Sequence, residues 1–281
     1  MAALSTMSTS GVLARSVTLP VPIQIWVRCV IAALVLYLVL KLQKKKVALP
    51  GRRFGWQIVV ASILMGLHWI FYFYALFFSN VAIGMLSLFT YTIFTALLEP
   101  VVLKTKFQLR HIPLTLIGML GLYLLIPSEE VDNDYGLGIV CGVISALAYT
   151  FRNLSMKQSI ATVDGVSLMF FQMLILSIVM FGTVFFYPAD VLIIGFANNW
   201  ELILVLGIVT SALGHTLFVS SLAYFSTTAL SILSNLIPIF GIAMGYFFLS
   251  ESPQAKILIG GALILMTSFI EGYFSWMKSE K

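Results

Sequence analysis

Apolar runs of about twenty residues follow one another from residue 22 to residue 276, separated by short links that carry the charges, prolines and glycines. As an α-helix, about twenty apolar residues match the hydrocarbon thickness of a bilayer. Only 10% of the 281 residues are charged and 60% are hydrophobic, whereas a soluble domain carries about 25% charge to build its wet surface. The chain is therefore expected to be an all-α integral membrane protein. Ten crossing helices are predicted near residues 2–16, 22–41, 55–78, 82–103, 110–127, 136–158, 165–187, 200–225, 228–250 and 255–276. Ten passes use nearly the whole length, so no soluble catalytic or regulatory domain is expected. The first run has only about fifteen residues before Arg15 and no basic leader, unlike a signal peptide. It reads as a first helix that is N-terminally short, its start lying upstream of Met1.

Basic residues set the direction of the passes. Lys41, Lys44, Lys45, Lys46, Arg52 and Arg53 follow helix 2, and Lys104, Lys106 and Arg110 follow helix 4, so both links are expected on the cytoplasmic side. Alternate crossing adds Lys157, Lys278 and Lys281 to that side, leaving Arg15 and Lys256 outside with seven of the eleven acids. Both termini are predicted to be cytoplasmic, in a multi-pass plasma membrane protein (the cytoplasmic or inner membrane of a bacterium). The Lys41 to Arg53 cluster is read as facing lipid head groups. The net charge of +5 speaks to topology, and no nucleic-acid partner is expected.

The chain also repeats itself. Shifted by 147, His68–Ser87 meets His215–Ser234 with seven identities in twenty: His68/His215, Phe71/Phe218, Phe78/Phe225, Ser79/Ser226, Ala82/Ala229, Leu86/Leu233 and Ser87/Ser234. Two five-helix halves, 1–127 and 136–276, are expected. Because five is odd, the second half crosses in the opposite sense, as the acids of residues 190–201 opposite the basic link after helix 2 also imply. Inverted repeats of this kind are a recurring construction of secondary transporters, with the substrate site near the midplane between the halves.

Ala75-Leu76-Phe77-Phe78-Ser79-Asn80-Val81-Ala82 running into Leu98-Glu99-Pro100 has a counterpart in Ser226-Thr227-Thr228-Ala229, running through Pro238 to Phe248-Leu249-Ser250-Glu251. Together with the two halves, these segments resemble the drug/metabolite transporter superfamily, and its EamA-type members most closely. The resemblance implies a central cavity among helices 1–4 and 6–9, helices 5 and 10 packed behind it, and export of amino acids, other metabolites or toxic compounds. A lipid-linked sugar flippase or accessory subunit is the alternative that the superfamily offers.

Ionisable groups inside a membrane are costly and mark functional positions. His68 and His215, near the middle of helices 3 and 8, are predicted to face one cavity, as substrate contacts or proton carriers. Trp69 and Tyr72 extend that face. Ser87 and Tyr91 on helix 4 and Ser231, Asn235 and Pro238 on helix 9 are further cavity candidates, with helix-to-helix hydrogen bonding as the plainer role for the hydroxyls and amide. Arg28 on helix 2 and Arg152 on helix 6 are each placed to snorkel or pair, with contact to a substrate as the further reading for both; Arg152 lies deep enough to meet an anionic group such as a carboxylate. Glu99 is expected at a helix end, as a gate contact or proton carrier. Gly118, Gly121, Gly260 and Gly261 allow close helix approach, within the chain or as a homodimer contact through helices 5 and 10.

Other classes lack their marks. There is no Gly-x-Ser-x-Gly elbow, no HExxH and no phosphate-cradling glycine loop, so neither an integral-membrane enzyme nor an ATP-driven pump is expected. Cys29 and Cys141 lie in apolar runs, and neither metal nor cofactor is predicted.

Overall fold

The structure is a computed structural model; it describes residues 2–45, 47, 52–103, 109, 111–125, 134–160, 163–221, 223–224, 234 and 236–279. Among them the chain is helical throughout. In order it forms α1 (Ala2–Ser16), α2 (Val21–Leu42), α3 (Arg52–Phe78), α4 (Val81–Phe89), α5 (Tyr91–Leu103), α6 (His111–Leu124), α7 (Tyr135–Ser159) and α8 (Gly165–Phe181). A 3-10 turn, Gly182–Phe186, then leads to α9 (Ala189–Val205), a π-helical segment (Leu206–Gly214), α10 (His215–Ser221), α11 (Leu236–Leu249) and α12 (Ala255–Ser279).

Local chemistry marks the breaks. Pro20 and Pro22 open α2 where no backbone donor is needed. Asn80 caps α4 by accepting the Ile83 N–H at 2.9 Å, and Asp164 caps α8 through Ser167. Thr90 interrupts the fourth pass, its hydroxyl donating to the Ser87 carbonyl at 2.6 Å. Six of the helical stretches are long and apolar enough to cross a bilayer, and Ile112–Leu124, Leu236–Leu249 and Ala255–Thr267 are shorter apolar helices. Large apolar side chains such as Leu116, Phe186 and Phe247 are exposed on the outside, as lipid contact allows.

The eighth pass differs from expectation. Residues 188–199 were expected to form an acidic link, with helix beginning near 200; helix instead starts at Ala189 and carries Asp190 and Glu201 within it. Pro188 supplies the stop before the first turn, and Val191-Leu192-Ile193-Ile194 makes that turn apolar.

Packing places α3 along α7, α2 along α8 and α6 along α12, with α1 against α11 and the π segment. The pair α6 and α12 meets backbone to backbone: a Cβ on Gly121 would come within 2.7 Å of the Gly260 carbonyl oxygen, and one on Gly260 within 2.6 Å of that of Gly121. These glycines are thus used inside the chain. The remaining passes enclose a single large apolar core into which Trp69, Arg28 and Arg152 are sunk.

Candidate functional site

At the middle of the bundle lies a cavity of about 40 Å³. Met7 and Ser10 of α1, His68, Trp69 and Tyr72 of α3, Tyr91 of α5, Tyr149 of α7 and His215 and Phe218 of α10 line it, with Ser234 and Ile237. Roughly 10–15 Å³ admits one water, so this space holds a few waters and no organic solute; ligand pockets run to about 300–1,000 Å³.

His68 is held from both sides of its own residue. The Ser145 hydroxyl donates to the His68 carbonyl at 2.9 Å and sits 2.8 Å from Nδ1. A serine has one proton to give, so its oxygen accepts from Nδ1–H, which leaves Nε2 as the lone-pair nitrogen of the neutral ring. The imidazole stacks on Tyr149 at 4.4 Å, and Tyr149 meets Tyr91 edge-on at 5.1 Å. Tyr91 shares a 2.7 Å hydrogen bond with Ser234. Opposite, His215 lies edge-on to Trp69 at 5.3 Å with its Nδ1 unpartnered, and the Arg28 guanidinium covers the Trp69 ring at 4.1 Å. The wall is aromatic and the polar atoms it presents are few, an arrangement that suits stacking of a ring or cation and selective hydrogen bonding.

The structure therefore brings His68, Trp69, Tyr72, Tyr91 and His215 to one cavity. Pro238 is buried beside the lining Ile237. Ser87 stands elsewhere: it donates to the Ile83 carbonyl at 2.7 Å and faces Gly142 of α7, a packing position. Ser231 and Asn235 lie outside the described residues. Arg152 is one turn beyond Tyr149, behind the wall, where it donates to Gln172 Oε1 and Asn153 Oδ1, both at 3.0 Å. Neither arginine snorkels, because both are fully buried. Tyr149, Ser10 and Ser234 escaped the reading of the sequence. A signal for the first two existed: the register that sets Arg15 opposite Lys157 also sets Met7 opposite Tyr149 and Ser10 opposite Arg152.

Ion pairs close the two ends of the bundle. Where α1 ends, Arg15 pairs with Glu251 at 2.7 Å and donates to the Leu76 carbonyl, while Glu251 Oε2 accepts the Val81 N–H at 2.8 Å. That carboxylate thus sits at the N-terminus of α4, where the helix dipole favours it. Where α7 ends, Lys157 pairs with Glu99 at 2.7 Å, and Lys45 pairs with Asp164 at 3.0 Å. Chain direction puts these at the opposite end from Arg15, since α1 and α7 each run toward their own pair while α3 and α8 run back. Beside Arg15 opens a second, larger cavity of about 480 Å³, lined among others by Thr18, Gln24 and Phe73.

Residues 1–126 and 136–270 each match the EamA-like transporter family. Among curated proteins, the pseudopaline exporter CntI of Pseudomonas aeruginosa strain UCBPP-PA14 is 23% identical over 251 residues, 89% of this chain and 86% of that protein. An uncharacterized transporter of Archaeoglobus fulgidus is 27% identical over 150 residues, 53% of this chain and 52% of its own. A crystal structure of a protein shares the fold, with a TM-score of 0.70 at 15% identity over 96% of this chain and 94% of that one.

Proposed function

The chain belongs to the EamA-like transporter family, and from that premise we propose that it is a secondary transporter that exports small organic solutes by alternating access. Transport of a small molecule across a membrane by a multi-pass protein, and not enzyme chemistry, follows from the family and its curated relatives. The outward direction takes its support from the relative named as an exporter. Amino acids, related metabolites and amphipathic toxic compounds are the solutes in view.

The single observation that carries the mechanism is the narrow centre. An aromatic and imidazole-lined space at mid-bundle is too small for a solute, and an ion pair stands at each end of the bundle. In an occluded intermediate both barriers are shut; opening Arg15–Glu251 admits one side and opening Lys157–Glu99 the other. The architecture proposed is ten passes in two inverted five-helix repeats, 1–127 and 136–276. Its supports are the sequence repeat and the matching partnerships in the fold, α3 with α7 and α4 with α7 on one side, the π segment with α1 and α11 with α1 on the other. Both termini and the Lys157–Glu99 end are assigned to the cytoplasm, in the inner membrane, with the Lys45 link against lipid head groups. A homodimer would use the exposed outer faces of α6 and α12, around Leu116, Leu120 and Leu258. His68 and His215 are the assigned proton carriers if transport is proton-driven.

The test begins with metabolite profiles of cells with and without the protein. Compounds that change are then loaded into proteoliposomes and followed by counterflow. Exchange of at least one compound, slowed more than tenfold in His68→Ala or Tyr149→Ala, is expected. Absence of exchange for every compound, or appearance of a chemically altered product, would overturn the reading.

A further inference from the structure

Two guanidinium groups lie inside the bundle with no carboxylate of the described residues paired to them. Arg28 and Arg152 are fully buried, and the ion pairs among the described residues belong to Arg15, Lys45 and Lys157. Arg28 Nε donates to Ser211 Oγ at 2.8 Å and Nη2 to Thr210 Oγ1 at 3.0 Å, while Nη1 has no partner. Arg152 has the same shape of deficit: amides and a thioether take its Nη atoms, and Nε has no partner. Hydroxyls, amides and π faces satisfy N–H groups without neutralising charge. A buried cation lacking a counter-charge is unfavourable, and inside a membrane such a residue marks a substrate or ion path.

The segment that holds Arg28 departs from the α-helix. Thr210 and Ser211 donate to one and the same carbonyl, that of Leu206, at 2.6 and 2.8 Å. Their protons are thereby spent, and both oxygens turn lone pairs toward Arg28. The Ser211 bond reaches back five residues, the span of a π turn, within the π segment of Leu206–Gly214, and π turns recur at functional sites. Arg28 is held in this way at the junction of the two cavities. Gln24, one turn before it on α2, and Phe73, 5.2 Å beneath its guanidinium, line the 480 Å³ cavity. Trp69, whose ring lies 4.1 Å from the guanidinium, lines the central one.

We infer that Arg28 is the seat of a carboxylate site: its free Nη1 binds one oxygen of a small organic acid or zwitterion that enters past Gln24, while the rest of the solute occupies the aromatic cavity once that opens. An arginine N–H and a carboxylate oxygen form a charge-assisted hydrogen bond, stronger than one between neutral groups. Arg152, behind Tyr149, adds the second positive charge. The inference rests on the transport reading and names its substrate class.

The full chain, purified in detergent with methanesulfonate as the sole anion, is titrated with phenylacetate and succinate, with the matched amides phenylacetamide and succinamide, and with sodium chloride. Tryptophan fluorescence and melting temperature are read. At least one acid should bind ten or more times tighter than its amide. Arg28→Gln should erase that preference while keeping the weak response to the amide. Arg28→Lys, which retains the charge without the fork, should weaken the acid about tenfold and serves where Gln does not fold. Equal binding of acid and amide, a preference that survives in Arg28→Gln or is undiminished in Arg28→Lys, a full response to chloride alone, or no response to either acid would each overturn the site. Counterflow of amines or amides only would do the same and leave the transport reading standing.

Discussion

The third pass of the first half runs as unbroken α-helix from Arg52 to Phe78, whereas the stretch matched to it in the repeat leaves α geometry between Leu206 and Gly214 before delivering His215. At the offset that aligns the two histidines, Thr210 and Ser211 stand opposite Ile63 and Leu64. Two hydroxyls that satisfy a buried arginine in one half are two aliphatic side chains in the other, and the backbone follows. His68 has a fixed partner in Ser145, while the Nδ1 of His215 has none, and in the register of Arg15 with Lys157 the residue opposite Ser145 is Ala3. The lesson is that a repeat conserves where a residue sits more faithfully than what holds it. One half supplies an anchored imidazole, the other a π turn that carries a guanidinium.

The sharpest way to break this contrast is to make the second half resemble the first. Thr210→Val with Ser211→Ala removes both acceptors from Arg28 and strands a charged group that nothing else neutralises. Each hydrogen bond to a charged, buried group is worth about 1.5–3 kcal/mol, so denaturation in micelles should show a loss of about 3–5 kcal/mol and a return of this segment to regular helix. The mirror change Ile63→Thr, at a side chain 46% exposed, should cost less than about 1 kcal/mol because its hydroxyl returns to the preceding turn. Equal losses at the two places would dissolve the distinction.

The histidines sharpen it next. Ser145→Ala leaves His68 Nδ1 buried without an acceptor and should cost about 2 kcal/mol. Thr216→Val, beside His215, deletes a hydroxyl that already lacks a partner, and should be neutral or stabilising in the same melt. The ends of the bundle come third. Glu251→Gln breaks the pair with Arg15 and weakens the cap on α4, a shift of about 1.4 kcal/mol or tenfold toward opening at that end. Glu99→Gln removes a pair with more exposed partners and should shift the opposite end by about 0.5 kcal/mol. Thiol labelling of Thr18→Cys, which lines the larger cavity, should rise in the first variant and not in the second.

How much of this was legible depends on what each residue shares with its repeat. His68 and His215 could be read because both halves keep the same side chain, and chemistry there is costly enough to stand out in an apolar run. Tyr149 is marked more faintly: its match is Met7, so no shared side chain flags the position, and only the register of Arg15 with Lys157 pairs the two. Ser87 and Ser234 show the opposite failure: identical in sequence, one packs on Gly142 while the other meets Tyr91, and the break at Thr90 sets them apart. Arg28 sits near enough to a helix end to suggest snorkelling; only the fold shows that Thr210, Ser211 and Trp69 seal it in. The extra length of α9 was hidden by Asp190 and Glu201, whose charges resemble a link when the apolar residues between them are given too little weight.

The last contrast concerns how the second pass of each half begins. Pro20 opens α2 with no side-chain cap, whereas Asp164 opens α8 by accepting the Ser167 N–H at 3.3 Å and its hydroxyl at 2.7 Å. Partial burial alone would raise the Asp164 carboxyl; the bonds from Ser167 and the nearby Lys45 outweigh it and hold the group below the usual carboxylate range. With the folded value depressed, the cap contributes fully above the ordinary carboxylate pKa of about 3.9 and fades as pH falls through the folded value. Asp164→Asn keeps the cap but not the charge, so its melting deficit should be present at pH 7, shrink on acidification toward pH 3 and shrink again in high salt. Asp164→Ala, which loses the cap as well, should cost about 1 kcal/mol at every pH above 5. Pro20→Asp meets an extended backbone, φ −55° and ψ 139°, that accepts a capping side chain, and a gain of at most about 1 kcal/mol is expected there. A larger gain would mean that α2, the helix that carries Arg28, begins under strain that its capped counterpart avoids.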